Sequence, residues 1–564
     1  MECAENQLLA DDLLVFNRPP NPSWANNNLG KKTFILPPFE PIAYHDGQID
    51  VWGRSITLGA GLLPSQIISQ NEELLAAPIN LNLEINQQKV QFANILPAVL
   101  EKTEEKLILA YTLQQSDYTI IVKLHSEFDG FLWYDFEIEP KAEIVINQAQ
   151  LEIPVTKDAN LYSAYAKGTI PPTQQPTAIA TMPIGGKLPA ELTLPFYAYL
   201  WLGNEELGLQ YFCESDQYWH VQDTESVLKV SKKQNYSLLT VNLVDQNYQA
   251  KEKINYSFGL MASPIKPMGK RDRYWSTMTI TWEGFGANPK TIKPDESFEE
   301  FYQRVVVPWI GPPKSGSDVT AQVYNAGKVK AVSVYGWNRY FGAPYTEDEG
   351  LDKKFKTLME KTKEINPQMQ LTPYAGWGIN KNLSIWESFG TEMTRQPWEA
   401  SLSDTVLQCA NSSFPDFYLD GLNRLMSEFG ADGAYLDSTG NVPLCTRSGH
   451  GCGYVDEQGV LHGTYPIRAT RELLKRIYKQ THHCGREGMV YLHTAYFALP
   501  IISFADLVLA GEMGVIAWDS LEKIDRDYYK AVMMGEHTGL PTILCWHTSS
   551  PYLKIKANPL KYRY

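Results

Sequence analysis

The chain of 564 residues carries 50 Lys plus Arg against 64 Asp plus Glu, a formal charge of −14. That acidic surplus argues against a nucleic-acid partner, because phosphate binding needs a basic face. With 44% hydrophobic and 12% aromatic residues the composition is that of a folded protein rather than a disordered one, and the longest apolar runs, such as "DLVLAG", fall far short of the ~20 residues of a membrane span.

The start, "MECAENQLLADDLLVFN", has neither a basic n-region nor an apolar h-region. No signal peptide is read, and the expected compartment stays open: cytoplasmic, or exported if this start is processed or mis-assigned. Residues 1–275 then read as a β-sandwich. Short β-branched or alternating runs recur ("KVQFANI", "KLILAYTL", "YTIIVKLHSEF", "FLWYDFEIEP", "AEIVINQAQLEIPV", "YSLLTVNLV"), separated by the turn signals "HDGQ", "FDG" and "GNEELG". Several strands at that spacing are the signature of packed antiparallel sheets. The Pro-, Gly- and charge-rich "SPIKPMGKRDRYW" marks the boundary.

Residues 276–564 change pattern. "DESFEEFYQRVVVPWI" opens with an acidic first turn and continues as a helix. Strands then alternate with helices: "VKAVSVYGWN", helix "EGLDKKFKTLMEKTKEI", "QMQLTPYAGWG", a short third strand in "DTVLQCANSS", helix "SFPDFYLDGLNRLMSEFG", "ADGAYLDSTG", helix "TYPIRATRELLKRIYKQT", "GMVYLHTAY", "DLVLAGEMG", helix "DRDYYKAVMMGEHTG" and "LPTILCWHTSS". Ser413 is expected to cap its helix, with Asp416 three residues on and Gly430 as the stop. Alternation of this kind means parallel strands with crossovers. Seven strand candidates point to a (β/α)8 TIM-like barrel, incomplete at the C-terminus unless "ANPLKYRY" supplies the eighth. No GxGxxG follows a strand, which disfavours a dinucleotide fold.

In a barrel the chemistry sits at the carboxyl ends of strands. Those ends collect Trp337 and Asn338, then Tyr374 and Trp377, Tyr435 and Asp437, His493, Glu512, and finally Trp546 and His547. Cleavage of a glycosidic bond needs one carboxyl to protonate the leaving oxygen and a second to attack or stabilise the oxocarbenium-like centre. Asp437 is assigned as nucleophile, because it ends a buried apolar strand. Glu512 is assigned as acid/base, because an apolar surround raises its pKa. Trp337, Asn338, Trp377, Tyr435, His450, His493, Trp546 and His547 are expected to line the sugar site. The 14 Trp, 32 Tyr and 21 Phe fit stacking on pyranose faces as well as they fit core packing. Asp432 starts the Asp437 strand and is read as structural.

The seven cysteines are scattered without a CxxC, so most are expected as reduced thiols, with Cys445–Cys452 the one candidate loop bridge. The loop after the Asp437 strand holds Cys445, His450, Cys452 and His462. Their spacing matches no common zinc module, so neither a metal nor another cofactor is expected. The loop is read as a lid that turns His450 to the substrate.

The strings "IDVWGRSITLGAGLLPSQIISQNEELLAAPINL", "LGLQYFCESDQYW" and "INYSFGLMASPIKP" resemble the N-terminal β-sandwich of glycoside hydrolase family 123-like proteins. "EFGADGAYLDSTG" resembles the fourth-strand segment of retaining glycosidase barrels such as families 36 and 101. The resemblance implies a hydrolase of O-glycosidic bonds with a sandwich beside a barrel. In family 101-like enzymes the fourth-strand Asp is the nucleophile and a later Glu the acid/base, which look like Asp437 and Glu512. Family 123 enzymes use an adjacent Asp-Glu pair for substrate-assisted cleavage of N-acetyl-β-galactosaminides, whereas here Asp437 is followed by Ser438. Substrate-assisted hexosaminidase action and non-catalytic carbohydrate binding are the competing readings.

Overall fold

The computed structural model describes residues 21–93, 97–167, 183–268, 276–281, 300, 329–335, 337–338, 340, 342–344, 346–376, 378–396, 404–483, 487–494, 496–510 and 525–543. Its first part is antiparallel. Nine strands, among them Leu161–Lys167, Tyr197–Gly203, Gly208–Phe212, Ile254–Ser263, Leu132–Pro140 and Tyr118–Glu127, form one sheet. A seven-stranded sheet built around Ile144–Thr156 and Tyr236–Val244, and a five-stranded sheet over residues 43–73, complete it.

Strict alternation of buried and half-buried positions in Tyr118–Glu127 and most of Tyr236–Val244 is the period-2 pattern of strands with one face on a core. Alternation fails where the large sheet meets the rest of the chain. Tyr197–Gly203 and Gly208–Phe212 are buried at every position. There Gln210, fully buried, donates to Phe497 O at 3.1 Å and accepts from Leu499 N at 2.8 Å, and the Trp201 and His537 rings lie 4.4 Å apart. The sheet thus has apolar matter on both faces, and one continuous buried cluster runs from Trp24 to Leu540.

The second part is one parallel sheet whose order follows the chain: β1 (Ser276–Thr281), β2 (Val329–Tyr335), β3 (Gln370–Gly376), β4 (Gly433–Asp437), β5 (Met489–His493), β6 (Leu507–Leu509) and β7 (Thr542–Ile543). Helices α1 (Glu349–Ile365), α2 (Phe414–Glu428), α3 (Ile467–Thr481), α4 (Leu499–Ile502) and α5 (Arg526–Val532) lie between strands. Sequential parallel order without a reversal point is the order expected of a (β/α) barrel rather than a doubly wound sheet. Among the described residues the pairing is an open series of seven strands, and "ANPLKYRY" lies outside them.

The seven are not the seven read from sequence. Ser276–Thr281 is a strand that was not expected. The expected third strand is instead the two-residue Thr405–Val406, which pairs antiparallel with Ile379–Asn380. The apolar run at the head of "DTVLQCANSS" is only Val406 and Leu407, too short to tell a sheet strand from a ladder in a loop. The expected helix over 295–310 lies outside the described residues except for residue 300. Ser413 does not cap α2: its backbone is already helical and its hydroxyl donates to Glu392 instead. Gly430 does end the helix, at φ +73°. Asp432 is structural as expected, accepting from Leu371 N and from Lys363 Nζ at 2.7 Å each. Among the described residues no helix is long and apolar enough to cross a membrane.

The two parts are riveted by charge as well as by apolar packing. Arg471 of α3 reaches into the sandwich and makes a two-pronged contact with buried Asp129 at 2.6 and 2.7 Å, with Glu127 at 2.8 Å. Burial pushes the Asp129 carboxyl up, but the Arg471 charge and hydrogen bonds outweigh it and hold it ionised.

Candidate active site

Gly433–Asp437 is apolar up to its last residue and buried in its first four, so the strand is fixed by packing on both sides. Register places Gly376, Asp437, His493, Leu509 and Ile543 in one row at the carboxyl edge of the sheet. Immediately after Asp437 the chain turns: Ser438 has φ +58° and donates its N–H to His493 O at 2.9 Å. A left-handed non-glycine residue at this place is local strain that the surrounding packing must maintain.

Asp437 is about a quarter exposed (24%) and held at both oxygens. Tyr374 Oη donates to Oδ2 at 2.6 Å. His493 Nδ1 lies 2.8 Å from Oδ1, and Ser438 Oγ donates to the same oxygen at 3.3 Å. Burial pushes the carboxyl up. The His493 charge and the hydrogen bonds from His493, Tyr374 and Ser438 outweigh that effect and hold it below the usual carboxylate range. An ionised carboxylate only accepts, so Nδ1 carries the proton of this pair. Tyr435 Oη, also 2.8 Å from Nδ1, backs the ring, and the two rings are near-parallel at 5.9 Å. The result is an oriented, partly exposed anion at the end of a rigid strand. It suits attack on, or electrostatic support of, a cationic carbon, and it is a poor proton donor.

Of the residues read from sequence, Asp437, Tyr435 and His493 are brought together. Trp337 is 3% exposed, lies 4.7 Å from Phe355 of α1 in a stacked pair and donates Nε1–H to Tyr374 O at 2.8 Å. Its face is occupied by the helix. Asn338 shapes its own loop, donating to Ala343 O and accepting from Tyr340 N at 2.8 Å each. Glu512, Trp377, Trp546 and His547 lie outside the described residues. His450 has Nε2 2.7 Å from Glu392 O and Nδ1 3.5 Å from Cys445 Sγ. Sequence reasoning did not assign Tyr374 to the carboxylate. The signal was its register: it pairs with Tyr435, two positions before the Asp437 row.

The loop 438–466 is tied to the sandwich. Tyr454 Oη donates to Asp216 at 2.7 Å, and Tyr465 N donates to Glu214 O at 2.8 Å. Within it Tyr454–Val455 and Leu461–His462 form a small hairpin. His462 bonds Asp456 at 2.7 Å and stacks on Tyr454.

Comparison with known proteins bears on the sandwich first. The family model for the third domain of glycoside hydrolase 123 matches residues 42–264. No curated protein matches the chain. Solved structures with similarity include a glycoside hydrolase family 97 enzyme from Pseudoalteromonas sp. strain K8, at 10% identity, covering 82% of this chain and 69% of that one, with TM-score 0.30. The alpha-N-acetylgalactosaminidase NagBb from Bifidobacterium bifidum is similar at 11% identity, over 82% of this chain and 78% of that one, with TM-score 0.30. A putative aldose 1-epimerase from Escherichia coli K12 matches at 8% identity over 40% of this chain and 98% of its own, with TM-score 0.25. The likeness rests on the family model: residues 42–264 are similar to the third domain of glycoside hydrolase 123.

Proposed function

We propose that this glycoside hydrolase cleaves O-glycosidic bonds of a carbohydrate by double displacement, with Asp437 as nucleophile and Glu512 as acid/base. The reading is carried by Asp437: an ionised carboxylate in the carboxyl-edge row, with both oxygens held by Tyr374 and His493. In sequence Glu512 follows Leu509, the last residue of β6, by three positions. In the first step an Asp437 oxygen bonds to the anomeric carbon as the bond to the leaving oxygen breaks, and Glu512 gives that oxygen its proton. In the second, water adds to the anomeric carbon, the ester to Asp437 breaks and Glu512 takes the water proton. Retention requires the two carboxyls to stand ~5–5.5 Å apart.

The test is hydrolysis of a panel of aryl glycosides by wild type and Asp437→Asn. The variant should fold normally and lose about 10³-fold or more of kcat; near-full activity would falsify the reading. Azide rescue of Asp437→Ala should yield a glycosyl azide. The family 123 match supports a second reading, substrate-assisted cleavage of N-acetylhexosaminides with Asp437 orienting the acetamido group. Inhibition by a thiazoline with no azide rescue selects it, and binding of sugars without turnover selects a carbohydrate-binding role.

A further inference from the structure

Three buried thiols cluster together, and the His450 imidazole meets one of them, Cys445. Cys409, Cys445 and Cys452 are 0%, 0% and 2% exposed and form a cluster of their own, apart from the apolar core. Cys409 Sγ is 3.9 Å from Cys452 Sγ. Cys445 Sγ is 3.5 Å from His450 Nδ1. The ligand atoms of Cys409, Cys445 and His450 all lie within 4.8 Å of one another. A tetrahedral zinc ion, with bonds of ~2.3 Å to sulfur and ~2.0–2.1 Å to nitrogen, requires edges of about 3.8 Å between sulfurs and about 3.6 Å from sulfur to nitrogen. The two measured edges are close to these.

The surroundings orient the donors. His450 Nε2 is 2.7 Å from Glu392 O. A carbonyl only accepts, so the ring proton is on Nε2 and the Nδ1 lone pair faces Cys445, as in imidazoles that bind metal. Asn411 points its backbone N–H at Cys409 Sγ and its side-chain amide at Cys452 Sγ, at 3.4 Å each; such donors favour sulfur carrying negative charge. Gly451 and Gly453, at φ +67° and +73°, let the chain double back, and Cys452 Sγ comes to 3.8 Å from His450 O. A Cβ at Gly453 would lie 2.9 Å from His462 O.

We propose that Cys409, Cys445, Cys452 and His450 form a closed Cys3His site for a structural zinc ion. Each thiol releases its proton to solvent as its sulfur bonds the metal, and the neutral imidazole binds through Nδ1. Four protein ligands leave no open position, so the ion does no chemistry on substrate. It clips the segment that begins at residue 404 to the loop that leaves Asp437. This departs from the metal-free expectation: the spacing of Cys445, His450, Cys452 and His462 matches no common zinc module, and the fold brings in Cys409 while His462 bonds Asp456 instead.

The test is elemental analysis of wild-type protein, followed by replacement of zinc with cobalt. Wild type should carry stoichiometric zinc, and the cobalt form should show sulfur-to-cobalt charge transfer and intense tetrahedral d–d bands. His450→Cys should keep the metal with d–d bands moved to longer wavelength, and Cys409→Ser should lose it. Wild-type protein that binds neither zinc nor cobalt, a Cys409–Cys452 disulfide found by mass spectrometry, or undiminished metal in Cys409→Ser each overturns the site. If the variants fail to fold, the wild-type cobalt spectrum decides. None of these readouts depends on glycosidase activity.

Discussion

Tyr374 gives Asp437 a proton donor that cannot wander, since its ring is 5% exposed and lies 5.5 Å from Tyr435. Its 2.6 Å bond favours the charged carboxylate. Tyr374→Phe keeps the ring and deletes the donor, so the Asp437 pKa should rise. A nucleophile must be deprotonated, so the acid limb of the kcat/KM–pH profile should move to higher pH, with kcat about 10- to 100-fold lower. An unmoved acid limb would remove Tyr374 from the mechanism. The place of Asp437 at the carboxyl edge was legible because it closes a short apolar strand. Tyr374 and Cys409 were not, because a hydrogen bond between strands depends on register and a ligand from a distant loop depends on the fold. Trp337, expected to line the sugar site, is buried against Phe355; a strand-end aromatic gives the same signal whether a helix covers it or not.

At the scale of elements, β4 carries the site and its first residue sets its distance to β5. A Cβ at Gly433 would fall 1.8 Å from Met489 O, a backbone atom held in the same sheet. Gly433→Ala should therefore cost about 3 kcal/mol or more, read as a lower urea midpoint, and should reduce activity by displacing Asp437. A variant as stable as wild type would mean that the strands can part without loss. Four of the strand-and-helix repeats were readable from apolar runs and helical spacing, and α1 agrees with its expected residues 349–365. "STMTIT" was missed because its polar half hides the strand beside a Pro- and charge-rich boundary. "DTVLQCANSS" was over-read because a short apolar run does not distinguish a sheet strand from a two-residue ladder in a loop.

For the molecule as a whole, the Arg471–Asp129 contact joins the sandwich to α3 where both side chains are nearly dry, at 2% and 0% exposure. Removing one partner strands the other charge. Arg471→Met should cost about 3–5 kcal/mol in urea unfolding, and Arg471→Met with Asp129→Asn should recover part of it. If the double variant were no better than the single one, the charge would not be what matters.

The strands Tyr197–Gly203 and Gly208–Phe212 are covered on both sides, and the second cover comes from the chain's own later half. A sandwich expressed by itself would offer water a wall of tyrosine, tryptophan and leucine and would gather with its own kind. Neither half is a freely exchangeable module. Recombination that swaps one for a stranger's must also bring a matching wall.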